Sequence, residues 1–76
     1  MNTNQRLHWF CFSFMGQNER TGDNYSTSVY SGGYPSKNIT RKIIDENKYH
    51  AEVPDSAALI AVTYLGKMTR EEFLEK

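Results

Sequence analysis

The chain has 76 residues, of which 38% are hydrophobic and 24% charged, and ten are aromatic. A chain of this length builds one small core, and its aromatic content excludes an intrinsically disordered segment. Nine basic residues balance nine acidic ones, so the formal net charge is zero and no long-range field favours nucleic acid or an anionic membrane. We therefore expect a single domain over residues 1–76, with residues 1–5 flexible.

The first predicted element is a strand over residues 7–15, and both of its faces are largely apolar. One face carries His8, Phe10, Phe12 and Phe14. The opposite face carries Leu7, Trp9, Cys11, Ser13 and Met15. A strand that is apolar on both faces is best placed at the centre of a sheet.

The next part of the chain predicts a hairpin. Residues 16–24 are dense in turn formers and charges, which is typical of a loop. Residues 25–31 combine β-branched, aromatic and hydroxyl side chains, so they predict a half-exposed edge strand. Two glycines and a proline in residues 31–36 then predict an irregular connection.

A helix is predicted after this connection. Thr40 is a good N-cap, and Ile39 and Ile44 have the spacing of a hydrophobic staple around it. The helix is expected to run through about Lys48, because residues 47–56 break its pattern.

Two elements complete the chain. Residues 57–65 are apolar on both faces and predict a third strand. Thr69 and Glu72 have the spacing of a capping box, with Met68 and Phe73 as a staple, so a short C-terminal helix should begin at residue 70.

The element order ββαβα predicts an α+β fold with a three-stranded mixed sheet. A right-handed crossover through the first helix returns the third strand parallel to the second. The position that leaves every strand paired is beside the first strand. The spatial order is therefore 2-1-3. The helix should cover the face of Phe10, Phe12 and Phe14, and the third strand should place three side chains on that same side: Ile60, Val62 and Tyr64.

The sequence offers little for catalysis or for metal binding. Cys11, His8 and His50 are the only soft ligands, and residues 8 and 11 of a strand point to opposite faces. Gly32 and Gly33 could let backbone N–H groups approach an anion, but the segment lacks the known phosphate-binding spacings, so a plain connection is expected. We therefore predict no enzyme, no cofactor and no metal. A lone cysteine indicates a reducing cytoplasm, and no apolar run is long enough for a membrane span.

Association with protein is the leading functional prediction. The third strand is an apolar edge, and such an edge tends to pair with a second copy in a homodimer or with a strand of another protein. The apolar centre of the contact is predicted to comprise Trp9, Cys11, Met15, Leu59 and Ala61. Tyr30 and Tyr34 are further candidates, since tyrosine is enriched at interface anchors.

Nucleic-acid binding is the alternative. Its stacking platform would consist of Trp9, Tyr25, Tyr30 and Tyr34 on a sheet face. The basic groove that such binders need is not evident, because the basic residues of the first helix are interleaved with acidic ones.

The segments LHWFCFSF and AVTYLGKMTREEF lie at the two ends of the chain. In this pairing the sequence resembles small uncharacterised proteins encoded by bacteriophages, prophages and other mobile elements of enterobacteria. The resemblance rests on a Tyr-Leu-Gly turn at residues 64–66 that leads into Met68, Thr69, Glu71, Glu72 and Phe73. It implies a bacterial or phage cytoplasm and an accessory role, such as engaging a host protein.

Overall fold

The computed structural model describes residues 6–75, so the predicted flexibility of residues 1–5 lies outside the described part of the chain. The elements follow the predicted order ββαβα. They are β1 (Leu7–Gln17), β2 (Asn24–Tyr34), α1 (Arg41–His50), β3 (Ala58–Met68) and α2 (Arg70–Leu74).

The three strands form one sheet in the order β2-β1-β3, which confirms the predicted α+β fold and its strand order. β1 pairs antiparallel with both of its neighbours. β2 and β3 therefore run in the same direction, as the crossover through α1 requires, but they are not adjacent. The sheet is antiparallel in its hydrogen bonding, and the prediction of a mixed sheet is wrong on this point.

The core lies between the sheet and α1. Phe10, Phe12 and Phe14 are buried on one face of β1, and Phe12 and Phe14 have no exposed surface. Ile43 and Ile44 of α1 pack against this cluster. The phenylalanine face of β1 and the short apolar side of α1 thus pack against each other as predicted, because neither element can bury its apolar surface alone.

A β-bulge in β3 changes which of its side chains face the core. Ser13 lies opposite Ala61 and Phe14 opposite Leu59, so Ile60 has no partner across the ladder. Leu59 therefore packs against the core, and its predicted place beside Ala61 on the other face is wrong. A bulge adds one residue to one strand and so shifts the alternation of side chains beyond it.

Beyond the bulge β3 follows the predicted alternation. Val62 lies opposite Phe12 and Tyr64 opposite Phe10, so both share the core face. The Phe10 and Tyr64 rings are 5.3 Å apart between centroids. A second irregularity then leaves Leu65 without a direct partner.

β2 continues through the two glycines that predicted a connection. Gly32 lies opposite Trp9 within the ladder, and Gly33 sits at a register shift with φ +83°. A Cβ atom at Gly32 would overlap the Trp9 ring. Glycine is needed here for close packing inside a strand, so the predicted irregular connection begins only after Tyr34.

The β1–β2 hairpin is also tighter than predicted. Gln17 pairs with Asn24, which leaves residues 18–23 as the loop. Asn18 organises this loop, because its backbone N–H donates to the carbonyl of Asp23 at 2.7 Å and its side chain accepts from Arg20 N at 2.9 Å. Such local side-chain bonds are typical of asparagine in turns.

α1 begins as predicted and ends two residues later. Thr40 Oγ1 accepts a hydrogen bond from Ile43 N at 3.3 Å, which is the expected N-cap. Asn47, the first residue of the predicted break in the helical pattern, is buried inside the helix. Its Nδ2 donates to Ile43 O at 2.8 Å and to Tyr34 Oη at 3.0 Å, which links α1 to β2.

α2 carries the predicted capping box. Thr69 Oγ1 accepts from Glu72 N at 3.1 Å, and Glu72 Oε1 accepts from Thr69 N at 3.0 Å. The helix lies on the sheet face opposite α1, where Phe73 stacks on Trp9. None of the helices in residues 6–75 is long and apolar enough to cross a membrane.

Candidate interaction surface on β3

β3 is an apolar edge strand. Within residues 6–75 it pairs with β1 on one side and with no strand on the other. From Ser56 to Gly66 the sequence has no charged residue and no proline. Three large side chains along it are substantially exposed: Ile60 at 51%, Val62 at 38% and Tyr64 at 42%. Edge strands expose backbone donors and acceptors, so this one offers both hydrogen bonds and apolar contact to another strand.

The other edge of the sheet has a different surface. β2 also lacks charge, but it exposes no aliphatic side chain in the middle of the strand: Ser26 and Ser28 are exposed there, and Tyr30 is its one large exposed side chain at 63%. Hydroxyl groups are well hydrated when exposed, whereas the burial of exposed aliphatic surface lowers the free energy. The two edges are therefore not equivalent, and β3 is the one that association would stabilise.

The sheet face opposite α1, here called the open face, is partly covered by the chain itself. The rings of Trp9 and Phe73 stack with centroids 4.2 Å apart and planes 9° apart. Trp9 Nε1 also donates to Met68 O at 3.0 Å. Trp9 is half-buried by these contacts and anchors α2, a role that the sequence did not indicate.

The rest of the open face is small and hydroxylated. Cys11 is half-buried there, opposite Tyr30 on one side and Thr63 on the other. Ser13 Oγ and Ser28 Oγ are 3.0 Å apart and share a hydrogen bond. Five of the seven predicted interaction residues share the open face: Trp9, Cys11, Met15, Tyr30 and Ala61.

Tyr34 has a structural role on the opposite face. Its Oη accepts from Asn47 Nδ2, and it is 2.8 Å from Ser31 Oγ. Its ring lies 6.0 Å from that of Phe10. Tyr34 therefore belongs to the contact between α1 and the sheet, a structural role that its prediction as an interaction residue did not include.

The tyrosines do not form one stacking platform. Tyr30 is on the open face at 63% exposure, whereas Tyr34 and Tyr25 lie on the α1 side, at opposite ends of β2. Trp9 is also on the open face, stacked on Phe73, whose ring centroid is 6.0 Å from that of Tyr30. Because a row of bases needs successive rings on one surface, the four residues predicted from the sequence do not form one platform.

Charged residues flank the uncharged stretch of β3. Lys67 follows it and lies opposite His8 in the ladder, and Lys37 Nζ is 4.6 Å from the centre of the Tyr64 ring. His8 Nδ1 is 2.9 Å from Tyr64 Oη. This end of β3 is therefore basic.

The other end of β3 is acidic. Asp55 precedes the strand and is exposed, as is Glu52 in the same connection. Among the described residues the only ion pair joins Arg6 and Glu72, and Lys48 Nζ donates to the backbone carbonyl of Asp55 at 2.9 Å, so a cation lies beside this acidic end. Sequence reasoning missed this polarity, although an uncharged run bounded by opposite charges is visible in the sequence.

Two shallow depressions lie on the surface formed by residues 6–75. One, of about 440 Å³, is lined by Tyr49, His50, Glu52 and Val53. The other, of about 510 Å³, lies between the hairpin loop and the α1–β3 connection and includes Tyr25. Within residues 6–75 no three His, Cys, Asp or Glu side chains are placed to hold a metal ion.

No family model, curated protein or solved structure matches the chain. Function is therefore inferred from the geometry of the β3 edge.

Proposed function

We propose that the protein is a small, non-enzymatic protein-interaction module of a bacterial or phage cytoplasm, and that it binds by pairing the outer edge of β3 with a strand of another polypeptide. The observation that supports this is the uncharged edge from Ser56 to Gly66 with its exposed aliphatic and aromatic side chains. Binding by strand addition combines main-chain hydrogen bonds with side-chain contacts on both faces.

Both parts of that interaction are available on β3. Ile60 and Val62 are exposed at 51% and 38%, and each square ångström of apolar surface removed from water contributes about 25 cal/mol. The backbone adds hydrogen bonds, each with a net value of about 0.5–1.5 kcal/mol. These terms together are of the size needed to offset the entropy lost when two chains associate.

The two irregularities in β3 limit how much of the edge can pair. Between Ile60 and Leu65 the register with β1 is regular, over residues 61–64. Bulges are one of the devices by which edge strands avoid indefinite sheet extension. The short regular segment thus favours a defined pairing over open-ended aggregation.

The proposal is tested by capture from bacteria that express tagged and untagged copies of the chain together. Ala61→Lys places a charge in the middle of the β3 edge, where Ala61 is exposed, and should abolish recovery of the partner. Ser26→Lys is the matched control, because it adds the same charge to an exposed position on β2.

Nuclease treatment and salt distinguish protein from nucleic acid as the partner. A protein partner, whether an untagged copy or another chain, should survive nuclease and high salt, whereas phosphate-driven binding weakens steeply as salt rises. Recovery that is nuclease-sensitive, or that Ala61→Lys and Ser26→Lys affect equally, would overturn the proposal.

A further inference from the structure

The charges that flank β3 are placed symmetrically about one residue. Asp55 lies six residues before Ala61, and Lys67 lies six residues after it. Both flanking side chains are exposed, and every residue between them is uncharged. Asp55 lies in the turn that precedes β3 and Lys67 lies near the end of the strand, so opposite charges lie at the two ends of the uncharged edge. Such an edge complements itself when it is reversed.

We propose that the strand which pairs with β3 is β3 of a second copy, antiparallel and centred on Ala61. This inference rests on the proposed function and specifies its partner. A two-fold axis through such a contact brings Asp55 of each copy near Lys67 of the other. The pairing therefore contains two opposite-charge contacts, while a parallel pairing of the same edges would oppose like charges.

The side chains near the axis are compatible with this arrangement. Ala61 meets its own equivalent, and its methyl group lets the two backbones approach without steric conflict. In this register Ile60, the bulge residue that has no partner on β1, lies beside Val62 of the other copy, and the two-fold axis repeats this contact. These are two of the most exposed aliphatic side chains of the sheet, and cross-strand aliphatic pairs are stabilising.

The surroundings of the two ends extend the charge complementarity. Lys37 lies over Tyr64 near the basic end, and Glu52 lies in the connection that precedes the acidic end. Since the chain has a formal net charge of zero, two copies approach without overall repulsion. Opposite charges at the ends of the edge then fix the direction and register of pairing more than they add affinity.

Charge reversal tests the inference by sedimentation equilibrium. The parent should be a dimer at high micromolar concentration. Asp55→Lys and Lys67→Glu should each weaken it about tenfold at low salt, because each change turns two attractive contacts into repulsive ones. An equimolar mixture of the two variants should recover the parent's affinity as a heterodimer, since both contacts are attractive again. The double variant should recover it as a homodimer.

Asp45→Lys and Lys42→Glu are the matched controls, because they make the same charge changes on exposed positions of α1 and should leave the dimer unchanged. Circular dichroism checks that each variant is folded. If Ala61→Lys dissociates the dimer but the charge reversals do not affect it, antiparallel pairing centred on Ala61 is wrong and strand pairing stands. If the parent is a monomer that captures another protein through the β3 edge, self-pairing is wrong and the proposed function stands. A monomer with no edge-dependent partner refutes both.

Discussion

Replacing Gly32 with alanine should displace the Trp9 ring and release α2 from the sheet. Gly32 lies opposite Trp9 in the β1–β2 ladder. A Cβ atom there would come well within 3.0 Å of three Trp9 ring atoms, which real Cβ atoms essentially never do. The indole must therefore move, because the alternative is to break the ladder between β1 and β2.

The energetic cost follows from the contacts that Trp9 makes. Its stack on Phe73, with centroids 4.2 Å apart, is worth about 1 kcal/mol beyond burial, and its hydrogen bond to Met68 O contributes about 1 kcal/mol net. Gly32→Ala should thus lower the free energy of unfolding by about 2 kcal/mol, within the usual range for overpacking. That is a large share of the stability that so small a core supplies.

Urea denaturation followed by tryptophan fluorescence measures this effect, since Trp9 is the only tryptophan. Gly32→Ala should lower the midpoint and shift the native emission to longer wavelength as the indole enters water. Gly33→Ala is the control. Its φ of +83° makes alanine unfavourable, but nothing lies within 4 Å of the added methyl group, so it should destabilise without moving the emission. A Gly32→Ala variant with the parent's midpoint and emission would refute the reasoning.

Three further predictions concern the core and the two helix termini. Phe12→Ala should cost about 3–5 kcal/mol, because Phe12 is fully buried between α1 and the sheet; a thermal melt within a few degrees of the parent would contradict this. Glu52 has φ 59° just after α1, so Glu52→Gly should stabilise the protein by about 1 kcal/mol in urea denaturation, while Glu52→Ala should give no gain. The Thr69 backbone N–H, and then the Arg6 charge, lower the pKa of Glu72 in the folded state. The capping-box contribution is therefore fully present above the unfolded pKa of Glu72 and is lost as pH falls through its lowered folded pKa. Glu72→Gln should reduce that acid dependence, and an unchanged pH profile would show that the carboxylate is not responsible.

The parts of the fold that the sequence predicts well are those set by neighbouring residues. Thr40 and the Thr69–Glu72 pair cap helices through bonds that span three residues, so the local sequence contains the whole signal. The alternation of Phe10, Phe12 and Phe14 likewise fixes one buried face. Strand order followed from these elements, because few topologies connect them with a right-handed crossover.

The candidate surface depends on features that arise only when strands pair. The bulge at Ile60 reflects the register between β1 and β3, and it places Leu59 against the core where simple alternation pointed it away. Trp9 is covered because α2 returns to the open face, which no local pattern around Trp9 indicates. The sequence predicts Gly32 to lie in a loop, because the Trp9 ring that requires a glycine at this position is distant in sequence.

The buried Asn47 is a fourth such case. Asparagine inside a helix is unfavourable by propensity, and residues 47–56 predicted a break in the helical pattern. The structure buries its side chain between α1 and β2, where it bonds Ile43 O and Tyr34 Oη. Tertiary hydrogen bonding outweighs the local preference here.

Amide hydrogen exchange measured at increasing protein concentration tests the central claim most directly, because it reports backbone pairing at the β3 edge itself. Those amides of residues 61–64 that point away from β1 should become more protected as concentration rises, while exposed amides of β2 should not change. Ala61→Lys should remove this concentration dependence. Protection of β3 that is independent of concentration, or that rises equally in β2 and β3, would contradict pairing of two copies through this edge.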